Sequence, residues 1–223
     1  MPVTIDPVPV PIPKLLTLAC LACVTCLVLL PTRAGPWARA FAKLGASTCF
    51  VALAVVLGAM STRYGQFVLA ALLFSWIGDA LLLSGRSAAF TGGLAAFLAA
   101  HLLYASAFLL GETGAVAMAV AAAAALPAAA GVLRWLLPRV PAGMKAPVVA
   151  YVLVILAMCV VASGFSQSSG RWSVLAGALI FAVSDVAVAR ERFVRASPVN
   201  PAWGLPAYFV AQLLLAWSVA GSP

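Results

Sequence analysis

The chain is short of charge, and above all of negative charge: of 223 residues only five are Asp or Glu, one is His, and Asp, Glu, Lys and Arg together make up 8%. A water-soluble domain of this length keeps a charged shell, so scarcity on this scale excludes one. With 65% of residues hydrophobic, the bilayer is the solvent. The formal charge of +8 does not point to nucleic acid, because the basic residues are scattered through short gaps between apolar runs and form no patch. Cys20, Cys23 and Cys26 repeat at three-residue spacing, but they lie inside the first apolar run with no His or carboxylate beside them, and Cys49 and Cys159 stand alone in other apolar runs. In such settings cysteine behaves as a small hydrophobe, and no metal site is expected.

A helix needs about 20 apolar residues to cross the hydrocarbon. Eight candidate runs follow one another at 15–30, 44–60, 67–83, 90–110, 115–133, 146–164, 172–189 and 205–220. Residues 1–14 form a proline-rich segment that is expected to be non-helical, and 15–221 a single eight-helix transmembrane domain. The first run has some features of a cleaved signal peptide, yet Asp6 and the prolines before it replace the usual basic flank, so a retained helix is the reading. Short gaps punctuated by Pro31, Pro36, Gly85, Gly111, Pro138, Gly170 and Pro198 leave no room for an extramembrane domain. The expected fold is therefore all-α, a polytopic membrane bundle of eight transmembrane helices. Gaps one, three, five and seven hold ten Lys and Arg residues, Arg33, Arg39 and Arg86 among them, against three on the other side (Lys14, Arg63 and Arg171). Positive charge stays in the cytoplasm, which places both termini on the non-cytoplasmic side.

Two of the five acids, Asp79 and Asp185, fall inside apolar runs. A carboxylate within a span costs about 2.5–3.5 kcal/mol even on lenient insertion scales, so such residues face a bundle interior or wet cavity and serve a function. Both lie a few residues before the cytoplasmic ends of runs of the same direction, hence at one depth. Lys43, Tyr151, Ser184, Tyr208 and Gln212 belong to the same half of the membrane, and His101 and Tyr104, deeper in the fourth run, share one helical face. Taken singly, the tyrosines are ordinary interfacial aromatics, Lys43 a snorkelling anchor and His101 a helix-to-helix hydrogen-bonding group.

An internal echo supports grouping them. Ala-His-Leu-Leu-Tyr-Ala from Ala100 resembles Ala-Gln-Leu-Leu-Leu-Ala from Ala211, Asp79 and Asp185 are four runs apart, and Lys43 and Lys145 open the second and sixth runs. This suggests a 4+4 parallel repeat with the site between its halves.

Read in order, the Lys43 helix start, Gly78-Asp79, FTGGLAAFLAAHLLYASAF from Phe90, Pro147 to Tyr151 with Met158, GALIFAVSDVAVARERF and AYFVAQLLLAWS resemble the YhhN family of membrane lysoplasmalogenases over nearly the whole chain. One departure is Leu44, where members usually place Pro after the lysine. The resemblance implies an eight-helix enzyme that hydrolyses the vinyl ether bond of lysoplasmalogens, releasing a fatty aldehyde and a glycerophospho-base. That chemistry needs one carboxylic acid to protonate the double bond and one carboxylate to stabilise positive charge and activate water. Asp79 and Asp185 are the expected pair, as a close coupled dyad of which one member stays protonated. His101, Tyr104, Tyr151, Ser184, Tyr208 and Gln212 would orient them, water or substrate, and Lys43 or a loop arginine such as Arg86 would meet the phosphate. No cofactor is implied. The partner is a lysophospholipid within the bilayer, small residues on many helix faces permit a homodimer, and the alanine-rich composition suggests a bacterial plasma membrane. A proton-coupled carrier of a small amphiphile is the competing reading, since paired intramembrane acids and a repeat also suit one.

Overall fold

In lipid every backbone N–H and C=O must find its partner within the protein, and runs this apolar can satisfy that rule only as helices. The computed structural model describes residues 11–29 and 35–221, and among them eight long helices and no strands. They are α1 (Pro11–Leu29), α2 (Pro36–Val56), α3 (Arg63–Leu81), α4 (Ser87–Leu109), α5 (Ala115–Leu136), α6 (Lys145–Ser169), α7 (Trp172–Ala189) and α8 (Val199–Trp217). All eight expected runs are present. Pro31, Arg33 and the first ten residues of the proline-rich segment lie outside the described residues.

Several starts lie earlier than expected, three of them beside proline: α1 begins at Pro11 rather than near Leu15, α2 at Pro36 rather than near Leu44, and α8 at Val199 rather than near Leu205. The first-turn N–H groups of a helix have no intrahelical acceptor, so Pro11, Pro13 and Pro201 forfeit nothing there. Pro206 does sit within α8. Among the described residues seven helices are long and apolar enough to cross a membrane; α8, diluted by Asn200, Gly204, Pro206, Tyr208 and Gln212, is not among them. Its deficit is repaid by burial, for Tyr208, Phe209, Ala211, Gln212, Leu215 and Ala216 are all inside the bundle.

Neighbours in sequence pack together along α1–α2–α3–α4 and along α5–α6–α7–α8, and the two series interlock where α8 lies against α2 and α4 against α6. α1 also packs against α8, whereas α5 makes its main helix contact with α6 alone. The α7–α8 contact is close because of Gly204, where a Cβ would stand 2.4 Å from Cβ of Ala187. Outward faces carry Leu15, Leu18, Leu73, Val120, Leu126 and Val183, as lipid contact requires, while the core is lined by Phe50, Tyr104, Phe108, Phe181 and Phe209.

Candidate active site

Asp79 lies in the last turn of α3 with its side chain 2% exposed. A carboxylate buried so completely needs a counter-charge, and Lys43 Nζ of α2 supplies it 3.1 Å from Oδ1. Ser47, one turn further along α2, donates to Oδ2 at 2.6 Å, and Tyr208 of α8 donates to the same oxygen at 2.8 Å. Ser47 Oγ also lies 3.1 Å from the Lys43 carbonyl. A hydroxyl has one proton, and the shorter contact with the charged acceptor takes it. One ionised carboxylate is thus fixed by three donors from two helices.

Asp185, midway along the last turns of α7, has different partners. Tyr151 of α6 donates to Oδ2 at 3.2 Å, and His101 Nε2 of α4 lies 3.4 Å from the same atom. His101 is fully buried, and its Nδ1 is 2.6 Å from the carbonyl of Phe97. A carbonyl can only accept, so Nδ1 carries a hydrogen, and Nε2 is the ring nitrogen that faces Asp185. Nε2 is within ion-pair range of Asp185 yet lacks hydrogen-bond geometry to any acceptor or donor among the described residues. The Asp185 side chain is 14% exposed, so this carboxylate, unlike Asp79, reaches open space.

Aromatic rings form the partition between the two clusters. Phe181 is 4.3 Å from the His101 ring and 5.5 Å from that of Tyr208, while Phe97 packs edge-on to Tyr208 at 5.8 Å and to Phe181 at 6.2 Å. Phe97 therefore touches both sides, holding His101 by its carbonyl and Tyr208 by its ring. Its ring lies over Gly78, where a Cβ would come within 2.6 Å of it, so the residue before Asp79 leaves this space open. Beneath the partition Tyr104 donates to Gln212 Oε1 at 2.6 Å, and Gln212 donates to Ser75 Oγ at 3.2 Å, tying α4, α8 and α3 together one turn below Asp79.

Eight of the nine residues singled out in the sequence come together here: Asp79, Lys43 and Tyr208 in one cluster, Asp185, His101 and Tyr151 in the other, Tyr104 and Gln212 in the supporting network. Ser184 does not join them. Its hydroxyl donates to the Phe181 carbonyl at 2.7 Å, because adjacent residues on a helix point about 100° apart. The two carboxylates are held by different hydrogen-bond and ion-pair partners, Asp79 by Lys43, Ser47 and Tyr208 and Asp185 by Tyr151 and His101. Lys43 meets Asp79 rather than standing free for a phosphate. Ser47, Ser75, Phe97 and Phe181 were missed, although Ser47 repeats Lys43 and Ser75 precedes Asp79 by one helical turn, which was the available signal. Among the described residues no group of three or more His, Cys, Asp or Glu is placed to hold a metal ion.

The sequence model of the YhhN family matches residues 38–219. Lysoplasmalogenase TMEM86B of Homo sapiens is 36% identical over 164 residues, 73% of this chain and 67% of that one. Lysoplasmalogenase TMEM86A of Bos taurus is 31% identical over 220 residues, 94% of this chain and 90% of that one. No solved structure matches the chain.

Proposed function

The chain belongs to the YhhN family, and from that premise we propose that it hydrolyses the vinyl ether bond of lysoplasmalogens within the membrane, with Asp185 as the proton donor and Asp79 as the fixed negative charge. The observation that carries the division of labour is the difference between the carboxylates. Asp79 is held ionised by Lys43 and two hydroxyls and is sealed from solvent, whereas Asp185 is partly open and has His101 Nε2 behind it.

The reaction begins when the Asp185 carboxylic acid gives its proton to the double-bond carbon that does not bear the ether oxygen. The oxygen-bearing carbon becomes an oxocarbenium ion, which the field of Asp79 stabilises across a dry aromatic wall, where charge acts more strongly than in water. Water then attacks that carbon and gives a proton to the Asp185 carboxylate, regenerating the acid. The hemiacetal so formed transfers its hydroxyl proton to the departing glycerol oxygen and collapses to a fatty aldehyde and a glycerophospho-base. His101 and Tyr151 do not need to touch the substrate. They hold Oδ2 of Asp185, and Nε2 can take up or return the proton between steps. Basic loops flanking this end of the bundle support a site opening toward the cytoplasmic leaflet, in a bacterial plasma membrane. Nothing in the geometry favours a carrier.

The test is aldehyde release from a purified lysoplasmalogen by the detergent-solubilised chain, run in heavy water. Turnover should place one deuterium on the aldehyde carbon next to the carbonyl. Asp185→Asn should lower kcat by about 100- to 10,000-fold, the usual contribution of a positioned general acid. A folded wild-type chain that releases no aldehyde would overturn the function, and an active Asp185→Asn would overturn the role.

A further inference from the structure

A furrow runs between α1 and α8 on the outside of the bundle. Its upper part is lined by Leu27 and Val28 of α1, by Pro198, Ala202 and Leu205 of α8, and at its end by Arg39 of α2. It continues past Val28 between Leu21 and Val24 on one side and Pro206 and Val210 on the other. From Pro198 to Val210 the furrow follows α8 for about 18 Å. The lining side chains are apolar apart from Thr25 and Arg39, and Arg39 is the one charged group among the described residues that line it.

Among the described residues, Arg39 has no hydrogen-bond or ion-pair partner. It occupies the same face of α2 as Lys43 and Ser47, at i, i+4 and i+8, and those two end on Asp79. A guanidinium at the mouth of an apolar furrow, about 6 Å along the helix from the lysine that holds Asp79, is complementary to one kind of lipid: a single long chain with an anionic phosphodiester a glycerol's length away. We propose that the α1–α8 furrow is the docking site of a single-chain glycerophospholipid, its aliphatic chain lying between α1 and α8 and its phosphodiester on Arg39. The proposal rests on the lysoplasmalogenase reading for the identity of the lipid. It assigns the phosphate contact to Arg39, since Lys43 is occupied.

Equilibrium binding of a saturated 1-O-alkyl lysophospholipid, which has no vinyl group to protonate, reads docking without turnover. Arg39→Gln should weaken its binding to the full-length chain about tenfold, Arg39→Lys less, and Val210→Trp, which fills the furrow, at least as much as Arg39→Gln. Arg134→Gln, an exposed charge on α5, should leave binding within about twofold as a control for lost charge. A 1-O-alkylglycerol without phosphate should bind wild type and Arg39→Gln alike. Equal binding of the phospholipid by wild type and Arg39→Gln would overturn the proposal, as would an equal loss for the phosphate-free alkylglycerol. Competition by a two-chain phospholipid as effective as by the single-chain lipid would also overturn it, making the furrow a seat for bulk lipid. Failure of the wild type to release aldehyde bears on the hydrolase reading alone and leaves the binding result standing.

Discussion

Replacing Lys43 by Met keeps the apolar stem and deletes the charge, leaving the Asp79 carboxylate in place with only Ser47 and Tyr208 as donors. The side chains of Asp79 and Lys43 are 2% and 11% exposed, so solvent cannot screen the carboxylate that remains. Breaking a buried pair from one side costs about 3–5 kcal/mol, most of it the penalty of an uncompensated charge. Asp79→Asn is the milder cut. An amide oxygen still accepts from Ser47 and Tyr208, and Lys43, about 10 Å along α2 from Pro36, can carry its ammonium back toward the headgroups. That variant should lose about 1–2 kcal/mol, the difference between charged and neutral hydrogen bonds. In the double variant no charge is stranded, so its stability should fall near that of Asp79→Asn, a coupling of about 3–5 kcal/mol, the whole cost of Lys43→Met alone. The readout is thermal unfolding in detergent followed with a thiol-reactive dye, for which the buried Cys20 and Cys159 are natural reporters. The double variant should be folded and inactive. Equal costs for the two single changes, or strict additivity in the double, would refute the view that Lys43 exists to hold Asp79 ionised.

Two further changes separate the supports of the site. Tyr208→Phe removes one hydroxyl from Asp79 while keeping the ring against Phe97 and Phe181, and should cost about 1.5–3 kcal/mol in unfolding measurements, as for a hydrogen bond to a charged group. Gly78→Ala drives a methyl into the Phe97 ring; overpacking of this kind costs about 1–3 kcal/mol, and because Phe97 also holds His101, kcat should fall more than stability alone explains, which single-turnover kinetics on the folded fraction would show.

The helices were legible because hydrophobic length is a coarse property, and Asp79 and Asp185 because a carboxylate in lipid is costly enough to need a reason. Their partners were legible only in kind. That Lys43 would reach Asp79, and His101 reach Asp185, depends on helix azimuths set by packing between α2 and α3 and of α4 and α7 against α6, which no local pattern records. Ser184 misled because sequence adjacency to Asp185 is not spatial adjacency on a helix. Phe97 and Phe181 were invisible for the opposite reason: in a chain this rich in apolar residues nothing marks the two rings that become the partition.

The modest hydrophobicity of α8 bears on how the protein is made. A helix carrying Asn200, Pro206, Tyr208 and Gln212 is a poor candidate for leaving the translocon on its own. Its route into the bilayer is alongside α7, where Gly204 lets the two backbones close. Until α8 arrives, Asp79 lacks the Tyr208 hydroxyl and Ser75 lacks Gln212. The Asp79 cluster is therefore completed only after α7 has been made and α8 has packed beside it, so a ribosome stalled between the two leaves a buried carboxylate short of one of its donors.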